Sequence, residues 1–150
     1  MKKIKRIITS LMLVMAVCIC SIQPAFAATH DTWKANTSYD YGFTFTDDNL
    51  TPYKTCRDAG DLVISGSFKK ADTGSSNIKL KAQLRAYPSG AILDETVVYN
   101  YNYPHVDYFM LSAHVSAGQK VQIYFDASSI NNPPGFYRKA KVSYTAFIAQ

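Results

Sequence analysis

The sequence predicts an all-β chain, a two-sheet antiparallel β-sandwich of about seven strands behind a cleaved export signal. Three observations carry this fold. Apolar and polar residues alternate with period two over long runs, turn-forming residues punctuate those runs, and no stretch beyond the N-terminal segment shows a convincing helical period. A small closed β-barrel is the alternative architecture for the same pattern.

The N-terminal segment comes first. Lys2, Lys3, Lys5 and Arg6 form a positive cluster, an apolar run follows from Ile7 to Ile22, and Gln23-Pro24 leads into Ala25-Phe26-Ala27. That order is the n-region, h-region and small-residue cleavage site of a secretory signal peptide, bacterial in style. Small side chains one and three positions before the cut place cleavage after Ala27. Residues 1–27 are then the signal, and 28–150 form one domain expected to be secreted. The apolar run, about 16 residues, is short for a span of roughly 20, and no positive stop-transfer cluster follows, so no stable membrane anchor is expected. Cys18 follows Val17 and Cys20 follows Ile19, where lipid attachment needs a small residue.

Cleavage changes the bulk properties. Four of the 16 basic residues lie in the signal and all 11 acidic ones lie beyond it, leaving 12 basic residues against 11 acidic and a net charge of +1. That balance excludes an electrostatic case for nucleic acid. Of the three cysteines only Cys56 remains, so no internal disulfide staples the domain and its core must hold it. Cys56 is expected to be buried and inert; the alternatives are pairing with another chain or a thiol activated by Lys54 and Arg57.

The strands follow in order. Tyr39 to Thr46 alternates Tyr39, Tyr41, Phe43 and Phe45 with polar or small residues. Leu62, Ile64, Gly66 and Phe68 continue the pattern after Leu50 to Asp61, the longest irregular segment expected. Ile78 to Tyr87 alternates without a break, burying Ile78, Leu80, Ala82, Leu84 and Ala86 and wetting Lys79, Lys81, Gln83 and Arg85. Ile92 to Tyr101 and Val106 to Val115 are apolar on both parities, which predicts central strands. Val121, Ile123 and Phe125 mark the next strand, and Phe136 to Ile148 the last, with Ala140, Val142, Tyr144, Ala146 and Ile148 in phase. Turn chemistry separates them at Asp47-Asp48-Asn49, 72–77, Pro88-Ser89-Gly90, 116–119 and 131–135.

Catalytic constellations are poorly supported, and the chain is not expected to be an enzyme. Cys56 with His105 or His114 lacks any local nucleophile-activating context. Asp94 and Glu95 are strand neighbours that point to opposite faces, a poor glycosidase pair, and the sequence does not place Asp107 relative to Asp126. Asp47, Asp48, Asn49, Asp58 and Asp61 are oxygen donors on loops, but their spacing matches no calcium loop. Asn36-Thr37-Ser38 and Asn49-Leu50-Thr51 are formal glycosylation sequons, accidental in a chain with a bacterial-style signal.

Tyrosine is the distinctive feature. All 11 lie beyond the signal, and Tyr99, Tyr101 and Tyr103 occupy alternate positions. On a strand they would share one face, and such amphipathic rings can stack on sugar faces or fill a protein interface. The competing reading is cross-strand pairing that only stabilises the sheet. No motif carries a resemblance to a known family. The expectation is therefore a secreted, non-catalytic binder of a glycan, a cell-envelope component or a protein through an aromatic face. The alternative is an antagonistic, bacteriocin-like or pore-forming β protein, although no strand pair presents an apolar outer face long enough for a membrane barrel. No cofactor is expected within the domain. At the cleaved terminus, Ala28-Thr29-His30 would set the α-amine, two amide nitrogens and an imidazole in a plane suited to Cu(II) or Ni(II).

Overall fold

The computed structural model describes residues 32–71, 77–101, 105–130 and 139–150. Ten strands occur in these segments: β1 (Thr32–Trp33), β2 (Ser38–Thr46), β3 (Asp48–Leu50), β4 (Lys54–Cys56), β5 (Gly60–Lys70), β6 (Ile78–Ala86), β7 (Ile92–Asn100), β8 (Asp107–Val115), β9 (Lys120–Ser129) and β10 (Lys139–Ala149). One sheet runs β1-β4-β9-β6-β7, with β3 also paired to β9; the other runs β2-β10-β5-β8. Neither closes on itself, so the architecture is a sandwich and not a barrel. All strand pairings are antiparallel except the short β1–β4 contact, and an isolated parallel bridge joins Ala35 to Ile148.

Alternation sets the register. Leu80, Leu84, Ile123, Phe125 and Val142 are all buried, and Leu84 lies directly across from Ile123. The opposite sheet contributes Leu62, Ile64, Phe68, Leu111 and Ile148. Phe125 is the centre of an aromatic cluster, with the rings of Phe43, Phe45, Phe109 and Tyr144 between 5.7 and 6.1 Å from its own. Trp33, almost fully buried, donates its indole N–H to the Tyr41 hydroxyl at 2.8 Å. A cluster of this kind combines large buried area with favourable tilted and edge-on ring geometry, so the core needs no disulfide.

Three expectations are corrected. The segment from Leu50 to Asp61 is not simply irregular, because it contains β4. Thr51 exchanges hydrogen bonds with the backbone of Ile123, its N–H donating at 2.9 Å and its Oγ1 accepting at 2.9 Å, which pins the segment to β9. A three-residue strand is too short to show a period. Second, Ile92 to Tyr101 and Val106 to Val115 do not form central strands. β7 is an edge of one sheet and β8 an edge of the other. The apolar residues on their second parity, including Val97, Tyr99, Tyr108 and Met110, face outward and are exposed. Third, Gln83 is buried, not wetted, because the Glu95 carboxylate accepts from its amide nitrogen and Arg85 donates to its amide oxygen at 2.9 Å.

β7 and β8 are consecutive, and the chain passes between sheets there. The seam is polar. The Asp94 carboxylate accepts from the Ser112 N–H at 2.7 Å, and the Asn100 amide donates to Asp107 at 2.7 Å and to the His105 carbonyl at 2.8 Å. The Asp94 carboxylate thereby occupies a backbone donor on the edge strand β8 that would otherwise invite pairing with another chain.

Candidate functional site

β7 bulges at its start, where Leu93 is the extra residue between Ile92, opposite Arg85, and Asp94, opposite Leu84. From Asp94 onward the register is regular and sets Tyr99 across from Lys79 on the outer face of the larger sheet. Tyr101 follows just beyond the strand. The two rings lie 6.0 Å apart at an interplanar angle of 15°, and both are exposed, Tyr99 at 45% and Tyr101 at 56%. Asn100, between them, points the other way, is 2% exposed and anchors the β7–β8 seam. Strand alternation therefore has the structural role on one side and the presented rings on the other. Two nearly parallel exposed rings can take a sugar ring or a peptide edge against their faces without a deep pocket. Tyr103, the third residue of the row, lies outside the described residues, as do Ala28, Thr29 and His30.

The other candidate groups are separated. Cys56 is fully buried on β4, and burial pushes its thiol up to about 11, opposite to the lowering that an activated nucleophile needs. His114 sits at the edge of the smaller sheet against Asp61 at 2.9 Å, and His105 lies 3.4 Å from Asp107; neither is hydrogen-bonded to Cys56 among the described residues. Asp94 and Glu95 point apart, to Ser112 and Gln83. Asp107 belongs to the seam, whereas Asp126 lies across from Asp48 on the outer face of the larger sheet.

The loop carboxylates are likewise dispersed. Asp58 accepts from the Ala35 N–H at 3.0 Å, and Asp61 is taken by His114. Asp47, at a left-handed corner with φ of 75°, has its carboxyl raised above the ordinary range by desolvation and by the neighbouring Asp48 and Asp126 charges. Among the described residues no group of three or more His, Cys, Asp or Glu could hold a metal ion.

Two exposed features were missed in the sequence reading. Tyr53 and Tyr87 stack at 4.5 Å and 18°, with the Lys120 ammonium 4.9 Å from the Tyr53 ring; they meet across strands, which no local spacing reveals. Tyr108, 76% exposed on β8, was hidden by the expectation of a central strand, although its parity opposite the buried Phe109 and Leu111 marks it as outward.

No protein-family model and no curated protein matches the chain. Solved structures that resemble part of the fold include three of unrelated description. A β-glucosidase from Paenibacillus barengoltzii aligns with a TM-score of 0.45 and 11% identity, over 75% of this chain and 11% of that one. The infectious bursal disease virus VP2 subviral particle aligns at 0.43 and 9%, over 85% of this chain and 36% of that one. The P-domain of Macrobrachium rosenbergii nodavirus aligns at 0.30 and 10%, over 76% and 89%. These likenesses are distant and concern the chain trace alone.

Proposed function

We propose that the chain is an exported, non-catalytic β-sandwich that binds a cell-envelope glycan through the Tyr99–Tyr101 face. The observation that carries this reading is the parallel, exposed pair itself. Tyrosines recruited only to stabilise a sheet lose most of their surface to neighbours, as Tyr144 does at 5% exposure, whereas these rings keep about half of theirs. Their position at an edge strand adds access, because among the described residues no further strand flanks β7 on that side. The signal-like order of residues 1–27 in the sequence supports an envelope target.

The test is retention of the mature protein on insoluble, uncharged cell-wall polysaccharide. Tyr101→Ala and Tyr99→Ala should lose most retention while their melting temperatures stay close to that of the parent, as surface substitutions do. Full retention in both variants overturns this reading. So does loss of retention accompanied by unfolding, the signature of rings that merely brace the sheet.

A further inference from the structure

On the smaller sheet the outer face carries a second site, and the register alone defines its layout. Lys141 on β10 is paired with Lys69 on β5. The next outward row along the same strands is Ser143, Ser67 and Tyr108, and the row after that is Thr145 and Ser65 with Asp40 on β2. The second and third rows line an open groove of about 470 Å³, within the size range of ligand sites. Its floor is built from short hydroxyl side chains, so the face is concave there, and the exposed Tyr108 ring forms a wall.

The lysine row is the telling feature. Like charges directly opposite on neighbouring strands stand roughly 4.5–5.5 Å apart at Cβ and destabilise the pair. Lys139, two residues along β10, extends the cluster, and all three lysines are exposed. Among the described residues none of them makes an ion pair. An arrangement that costs stability and has no internal acid to offset it is complementary to an external anion. Beside it lie hydroxyls that can exchange hydrogen bonds with sugar hydroxyls and one ring able to stack on a sugar face. Asp40, which accepts from the Thr145 hydroxyl at 2.5 Å, closes the far end. That end is about 13 Å from Lys141 along β10 at 3.3 Å per residue, far enough that its charge does not cancel the lysines in water.

We infer that this face binds an anionic glycan strand, with a carboxylate or phosphodiester on Lys69 and Lys141 and the adjoining sugar in the groove against Tyr108. The site lies on the opposite sheet from Tyr99 and Tyr101 and does not depend on them.

The experiment is calorimetric titration of the mature protein with polygalacturonate, with a glycerol phosphate polymer, with neutral dextran and with a single-stranded oligonucleotide, each at low and high ionic strength. Binding is expected for the first or second polymer, weakening with salt, and not for dextran; which of the two binds identifies the anion. Lys69→Gln/Lys141→Gln and Tyr108→Ala should each weaken it by about tenfold or more, the scale of one lost charged or stacking contact. The double lysine variant should melt no lower than the parent, because it relieves a repulsion. Lys81→Gln/Lys120→Gln, on the other sheet, should bind as the parent does. Absence of binding to either anionic polymer overturns the inference. So does equal loss in the Lys81/Lys120 control, or equally tight binding of the oligonucleotide, since charge alone would then suffice. Loss confined to Tyr101→Ala overturns it as well and leaves the Tyr99–Tyr101 reading standing.

Discussion

The ring of Phe109 on β8 occupies the space that a side chain would need at its cross-strand partner, Gly66 on β5. A Cβ on Gly66 would stand 2.5 Å from Phe109 Cζ and 2.7 Å from the Ser143 carbonyl oxygen. Glycine at this inward position lets the ring pass over the sheet and reach Phe125, 5.7 Å away and edge-on. The two residues act as one unit of core.

Gly66→Ala should therefore destabilise the domain by about 1–3 kcal/mol through overpacking. Phe109→Leu in the same chain should recover part of that loss, less than all because the Ser143 carbonyl remains in place. A double-mutant cycle by urea unfolding measures the coupling. Additive losses would show that the ring moves aside freely.

What the sequence revealed, and what it hid, follows from the length scale of each signal. Period two over a long run exposes parity directly, which is why Leu80, Leu84, Ile123, Phe125 and Val142 could be placed in the core. Parity does not say which strand is an edge. An outward apolar residue such as Tyr108 or Met110 reads the same whether another layer covers it or solvent does. The β3 and β4 strands, three residues each, fall below the length at which alternation can be seen; Thr51 is held by a hydrogen bond to a residue 72 positions away. The Lys141–Lys69 pairing and the Tyr53–Tyr87 stack are equally non-local, because cross-strand register joins residues whose separation carries no pattern.

Leu84 gives the most direct check on that register. Its side chain is fully buried in the core, on the strand between β7 and β9. Leu84→Ala should cost about 2–5 kcal/mol, the lost transfer energy plus the cavity left behind. Arg85→Ala, one residue on and facing outward over the Tyr124 ring at 4.1 Å, should cost far less. A loss under about 1 kcal/mol at Leu84 would mean the strand is shifted by one residue.

The seam between the sheets rests on Asp94. Its carboxylate accepts from both the Glu95 N–H and the Ser112 N–H, so it caps a backbone donor on the open side of β8. Asp94→Ala should lower stability by about 0.5–1.5 kcal/mol, a typical net hydrogen-bond contribution. It should also raise the tendency to self-associate by freeing part of an edge. Urea unfolding and light scattering at rising concentration check the two effects separately, and unchanged scattering would show that the cap does not protect the edge.

Cys56 supplies a pH dependence whose sign can be worked out. Burial pushes its thiol up to about 11 from an ordinary value of 9.0. The folded state thus holds the proton more tightly than the unfolded chain does. The resulting stability is fully present below about pH 9 and is lost as pH rises toward about 11. The loss across that window amounts to about 2–3 kcal/mol. Tyr144, whose hydroxyl is raised by burial and by Tyr41, contributes in the same direction at higher pH and persists in any Cys56 variant. Subtracting the stability profile of Cys56→Ala from that of the parent isolates the thiol. The difference should fall between pH 9 and 11 and be flat below. A maleimide should label the folded protein at pH 8 only as fast as the domain opens. Rapid labelling, or a difference profile with no slope above pH 9, would place the thiol in contact with solvent and contradict its burial on β4.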